Sequence, residues 1–213
     1  MDPSRRELIA VAASLAARPL AAQTTAGDKP WHQRLRRVGQ VNFNEKDPVE
    51  LDIEAWASYW ASVKVDAVLI NVTGMLAFYP TQIPFHRRSA YLGDRDFFGD
   101  CCRAAKQRGL RVIGRMSPDL QWAEALEAHP EWFMRDRQGR PLPGPGEAAN
   151  LYSTCMFSSY FSEQIPAIMR EVNARYPVDG LFTKGWPPFS MPVCSCKYCD
   201  GLPERNTPAA HDR

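Results

Sequence analysis

Hydrophobic positions along the chain switch repeatedly between strand spacing and helix spacing. RVGQVNFN (37–44) reads as a strand, and Asp52 then precedes Trp56, Tyr59, Trp60 and Val63 at i, i+3, i+4 and i+7. That is an N-cap followed by one apolar stripe, a first strand and its helix. DAVLINV (66–72) is a continuous apolar run of strand length, as a sheet buried on both faces demands. Phe97, Cys101, Ala104 and Ala105 stripe the next helix, which stops at Gly109, and LRVIGRM (110–116) follows at once as a third strand. Asp119 to Ala128 reads as a short helix. HPEWFMRDRQGRPLPGPGE after it is turn-rich, with a small hairpin at Gln138-Gly139 and a loop over 143–146. Tyr160 to Tyr176 carries Phe161, Ile165, Ile168 and Val172 on one side of a helix that Pro166, lacking a donor, bends or delays. VDGLFTK (178–184) closes the series as a fourth strand.

Buried strands alternating with helices predict a parallel sheet with right-handed crossovers. No G-x-G-x-x-G follows the first strand and no G-K-[ST] phosphate loop occurs, which removes support for a nucleotide-binding doubly wound sheet. The expected fold class is therefore α/β, a parallel (β/α) barrel of the TIM type. Its chemistry belongs at the C-terminal ends of the strands, which hold Asn42 and Asn44, then Asn71, Tyr79 and His86, then Arg115 and Asp119, and lastly Lys184 and Trp186. Only four strands are visible, and 213 residues fall short of the roughly 250 of a full barrel. A partial barrel over 37–200 is expected, with an irregular tail over 201–213. Either a truncated or frame-disrupted copy of a longer enzyme or an unusual small open sheet would account for it. Open strand edges and an uncovered apolar interior favour a homo-oligomer.

Composition narrows the partners. A net charge of +2 with scattered arginines gives no reason to propose nucleic acid, and no apolar run reaches the roughly 18 residues of a membrane span. Ser4-Arg5-Arg6, the apolar ELIAVAASLAA, Arg18-Pro19 and the small Ala21 and Ala22 form the layout of a twin-arginine export signal over 1–26, with 27–36 as a leader. The expected localisation is outside the cytoplasm. Glu7, so soon after the arginines, supports the alternative of an ordinary amphipathic helix.

The residues at the strand ends suit sugar recognition. Asn42, Asn71, His86 and Arg115 can make directional hydrogen bonds to hydroxyls, while Trp186, Tyr79 and Phe78 offer flat apolar faces to a pyranose ring. Asn and Asp after strands also serve as turn and cap residues. Arg87 and Arg88 beside His86 favour an anionic partner, which permits an acidic sugar. No cofactor for catalysis is expected. Cys194, Cys196 and Cys199 form a C-x-C-x-x-C loop able to place three thiolates on a structural zinc, with Cys155 as fourth ligand. Disulfides or free thiols are the alternatives, as no second C-x-x-C is present. Cys101 and Cys102 lie in a helix, at least one as a small core residue.

MLAFYPTQIPFH (75–86), HPEW (129–132), NLYSTCMFSSYF (150–161), VDGLFTKGWPP and the cysteine loop together resemble the family called hypothetical glycosyl hydrolase 6, similar to the α-L-fucosidase-like barrels. The resemblance covers about 37 to 200 and implies a (β/α)8 catalytic domain acting on glycosides in a longer chain. Related barrels carry D-G-x-x-x-D on the fourth strand, with the last aspartate as nucleophile. Here Asp179 to Thr183 matches and Lys184 stands at the acid's position. An amine cannot supply the two-carboxylate mechanism, so Asp119 or Glu131 would have to take the role. Lys184 could instead bind a carboxylated sugar, form a Schiff base, or be an ordinary solvated lysine.

Overall fold

A computed structural model describes residues 29–144, 150–184 and 194–200. The expected export signal, Trp186 and the tail over 201–213 lie outside them. The chain divides into two units, Met1–Arg34 and Leu35–Arg213. In the first, the described residues form one helical turn, α1 (Trp31–Arg34).

The second unit is built on a four-stranded parallel sheet, β1 (Val38–Val41), β2 (Ala67–Asn71), β3 (Arg111–Met116) and β6 (Gly180–Thr183), in the order β1-β2-β3-β6. It is not a closed barrel: β1 and β6 are its edges. Strand β1 is shorter than the 37–44 expected, because Asn44 Oδ1 accepts from the Lys46 and Asp47 N–H groups and turns the chain into α2 (Asp47–Glu50). Helix α3 (Ile53–Ser62) then starts on Asp52, whose carboxylate accepts from Ala55 N at 2.9 Å.

Register sorts the side chains. Val41, Ile70, Gly114 and Leu181 align across the sheet, and two positions on in β2 stands Val72. This face meets the helices: Val68, Ile70 and Val112 are fully buried with Phe97, Phe98, Ala105, Ile168 and Val172. Close packing there demands Gly114, where a Cβ would stand 3.0 Å from Leu181 Cδ2. Helix α4 (Phe97–Gln107) ends two residues before Gly109, whose φ of +73° only glycine adopts freely. Both Cys101 and Cys102 are core residues, 3% and 2% exposed.

The stripe on α3 is only half buried. Ala57 and Trp60 pack inward, whereas Trp56, Tyr59 and Val63 are 38%, 57% and 43% exposed. No described strand lies beyond β1 to carry a helix against that flank. After β3 the expected helix from Asp119 gives way to β4 (Leu120–Trp122), paired antiparallel with β5 (Leu151–Ser153), and only Ala123–Ala128 is helical, as α5. A tertiary strand pairing has overridden local helix propensity. The hairpin at Gln138-Gly139 is present, closed by Asp136 N to Arg140 O at 2.9 Å. A π-helical turn, Tyr160–Gln164, leads into α6 (Ile165–Arg175) at the point where Pro166 cannot donate. No described helix is long and apolar enough to cross a membrane.

Candidate functional site

The opposite sheet face aligns Asn71, Arg115 and Phe182, and strand alternation carries Asn42 and Lys184 to the same side, each two residues beyond an inward position. The four polar residues therefore converge at the C-terminal ends of four neighbouring strands. They line one cleft of about 420 Å³, together with Phe43, Glu45, Thr73, Phe78 and Ser117 among others. Arg115 is 6% exposed and donates from Nη1 to Asn71 Oδ1 at 2.9 Å, while Asn42 Oδ1 accepts from Gln40 Nε2 at 2.8 Å. Among the described residues neither Arg115 nor Lys184 forms a salt bridge, and the carboxylate that acts on both through space is Asp119.

Asp119 stands just outside this lining. Burial raises its carboxyl above the usual range, against the opposing pull of Lys184 and Arg115. Glu131 is elsewhere: it lies on the turn Pro130–Trp132, 3.3 Å from His129 Nδ1, and His129 stacks flat on Trp132 at 4.1 Å. Phe78 borders the cleft, but only 3% of it is exposed, and its ring packs edge-on against Phe43 at 5.5 Å.

Tyr79 and His86 need correction as ligand contacts. Tyr79 is fully buried and its hydroxyl donates to Glu171 Oε2 at 2.7 Å, on α6. His86 is 4% exposed, with both ring nitrogens engaged by threonines. The chain folds back after β2, through Ala77 N to Arg87 O at 2.7 Å, and tucks both rings into the core. Thr73, Ser117 and Glu45 were missed. For Thr73 and Ser117 a signal existed, since each lies two residues past a polar inward position and so shares its face.

Away from the cleft, Cys155, Cys194, Cys196 and Cys199 form a buried cluster whose sulfurs all lie within 4.8 Å of one another. Cys155 Sγ is 3.5 Å from both Cys196 Sγ and Cys199 Sγ, and all six cysteines of the chain are free thiols. A disulfide needs about 2.05 Å, whereas sulfurs on a tetrahedral metal with roughly 2.3 Å bonds stand about 3.8 Å apart. The four cysteines are thus close enough to hold a metal ion. Their mutual hydrogen bonds push the thiols apart in acidity, lowering Cys194 and Cys196 and raising Cys155 and Cys199.

A parallel β/α sheet with a polar cleft across its C-terminal strand ends is the arrangement of barrel-type α/β proteins that handle small ligands. The chain belongs to the family described as Hypothetical glycosyl hydrolase 6, which matches residues 52–185. No curated protein matches it. Among solved structures it is similar to alpha-L-fucosidase isoenzyme 2 from Paenibacillus thiaminolyticus, with a TM-score of 0.60 and 19% identity over 76% of this chain and 25% of that one. It is also similar to a hypothetical protein from Ruminiclostridium thermocellum, with a TM-score of 0.52 and 11% identity over 71% of this chain and 78% of that one. Likeness at these identities concerns the fold. The chain spans about a quarter of the fucosidase's length.

Proposed function

We propose that the chain is a partial (β/α) barrel whose cleft binds a glycoside, and that its cysteine cluster carries a structural zinc. The observation that supports the first part most is the convergence of Asn42, Asn71, Arg115 and Lys184 from four successive strands on one cleft. Amides and cations fixed on a sheet supply directional hydrogen bonds to hydroxyls with little ordering cost. Lys184 occupies the place where related barrels carry a carboxylate nucleophile, so binding without turnover is the expected behaviour. Titration of the protein with a panel of methyl glycosides by calorimetry should give saturable binding to at least one sugar, lost in Arg115→Ala. A flat response over the whole panel would sink this reading.

One observation favours hydrolysis as a second reading. Asp119 is a carboxyl raised by burial beside the cleft's two cations, which suits a proton donor. Release of p-nitrophenol from an aryl glycoside, abolished in Asp119→Asn, would support it.

Four thiolates on one zinc would make a closed set with no position for a substrate, which supports a structural role for the metal. It would tie the Met134 strand segment and the loop after Thr154 to the 194–200 turn, which packs with them. Elemental analysis should find about one zinc per chain and none in Cys155→Ser. Metal-free protein with unchanged melting temperature would refute it.

A further inference from the structure

The fold-back after β2 builds a buried relay, Glu171, Thr81, His86 and Thr73, that ends in the cleft. Glu171 is held ionised: the N–H of Gln82 and the hydroxyls of Thr81 and Tyr79 donate to it, and these bonds with Arg175 outweigh burial to lower its carboxyl. A carboxylate only accepts, so the single proton of Thr81 points to Glu171 at 2.7 Å. The lone pairs of Thr81 Oγ1 then accept from Ile83 N at 3.1 Å and from His86 Nδ1 at 3.0 Å. Nδ1 must therefore carry the ring proton. In a neutral ring, Nε2 is then an acceptor, and its partner is the hydroxyl of Thr73. Burial keeps the ring neutral, holding His86 down at about 4 despite the favourable charge of Glu171.

We infer that this relay commits the Thr73 proton to His86 and so presents the Thr73 oxygen to the cleft purely as an acceptor, selecting a ligand hydroxyl that donates there. Thr73 is the contacting group and lines the cleft, two residues past Asn71 on the same face. His86, Thr81 and Glu171 are positioning residues. The lining of the same cleft includes Arg115 and Lys184, which only donate. A sugar hydroxyl seated between them would accept from a cation and donate to Thr73. The inference rests on the glycoside reading of the cleft for its ligand, while the relay stands on its own geometry.

Two measurements test it separately. Long-range ¹H–¹⁵N correlation of the imidazole should show His86 neutral at pH 6 with the proton on Nδ1, and a mixture of tautomers in Glu171→Gln, whose amide can donate as well as accept. An Nε2–H tautomer or a charged ring in the wild-type protein overturns the relay. Ligand-observed NMR with L-fucose and its monodeoxyfluoro analogues should then find one position where fluorine, which accepts but does not donate, weakens binding roughly threefold to tenfold. That penalty should vanish in Thr73→Val and persist in Thr73→Ser. Equal affinity for every analogue overturns the acceptor role. Absence of any fucose binding beside an intact Nδ1–H tautomer overturns the acceptor role of Thr73 toward this sugar and leaves only the tautomer of the relay standing.

Discussion

The two ends of the sheet treat charge in opposite ways. At the N-terminal ends, Asp179 is 9% exposed and takes the Lys106 ammonium, Arg111 Nη1 at 2.6 Å and Val112 N at 2.8 Å, locking β6 to β3 and α4. Asp66 likewise accepts from Arg36 and Arg37 N at 2.8 and 2.9 Å and pins the start of β1. At the C-terminal ends, Arg115 and Lys184 face a cleft in which no described salt bridge holds either, although Glu45 is in the lining and Asp119 acts on both through space. Saturated charges close a structure, and available ones leave it something to bind. Asp179-Gly180, the dipeptide that carries part of the resemblance, therefore divides from Lys184 in role: the aspartate is a clamp beneath the sheet, and the lysine is a cleft residue above it.

The largest expected effect comes from breaking the lower end. Asp179→Ala should cost about 3 kcal/mol in urea unfolding, moderated because Lys106 and Arg111 are partly exposed and can rehydrate. Its carboxyl is lowered in the fold by Lys106, Arg111 and Val112 against burial, so its contribution is present at neutral pH and disappears as pH falls below the ordinary carboxylate value. His86 gives the next effect. An unfolded chain protonates it near pH 6.5 and the folded one near 4, so acid favours the unfolded state, and stability should fall by about 2 kcal/mol between pH 7 and pH 5. That part of the slope should disappear in His86→Gln.

Gly114→Ala probes the layer joining the two ends. Its Cβ would meet Leu181 and Val72 at 3.0 and 3.2 Å, and a melting curve should report a loss of about 1 kcal/mol. The smallest stability effect belongs to the upper end. Lys184 is exposed, so Lys184→Met should change unfolding free energy by less than about 0.5 kcal/mol while removing glycoside affinity. A large stability loss there would mean that the upper end is also a clamp.

Much of this was visible in the sequence where local rules suffice. Apolar runs located all four parallel strands, and Asp52 and Gly109 marked a helix start and stop, since burial and backbone conformation act over a few residues. Strand ends pointed to Asn42, Asn71, Arg115 and Lys184 because every parallel strand delivers its last residues to the same side. Tyr79 and His86 misled for the same reason: they follow a strand in sequence, but a bridge between Ala77 and Arg88 returns the loop to the core. The strand over Leu120–Trp122 was hidden because its partner lies about thirty residues away and only pairing reveals it.

By itself, the sequence determines the alternation of strands and helices, because periodicity records which face of each element must leave water, and its motifs carry the resemblance to one family. It also marks the cysteines as a set. Only the tertiary structure decides that four thiols from two distant segments meet at metal-ligand spacing and that a histidine after a strand serves a threonine rather than a ligand. It also decides that one aspartate closes the sheet from below. Those outcomes depend on contacts between residues far apart in the chain, and such contacts leave no period to read.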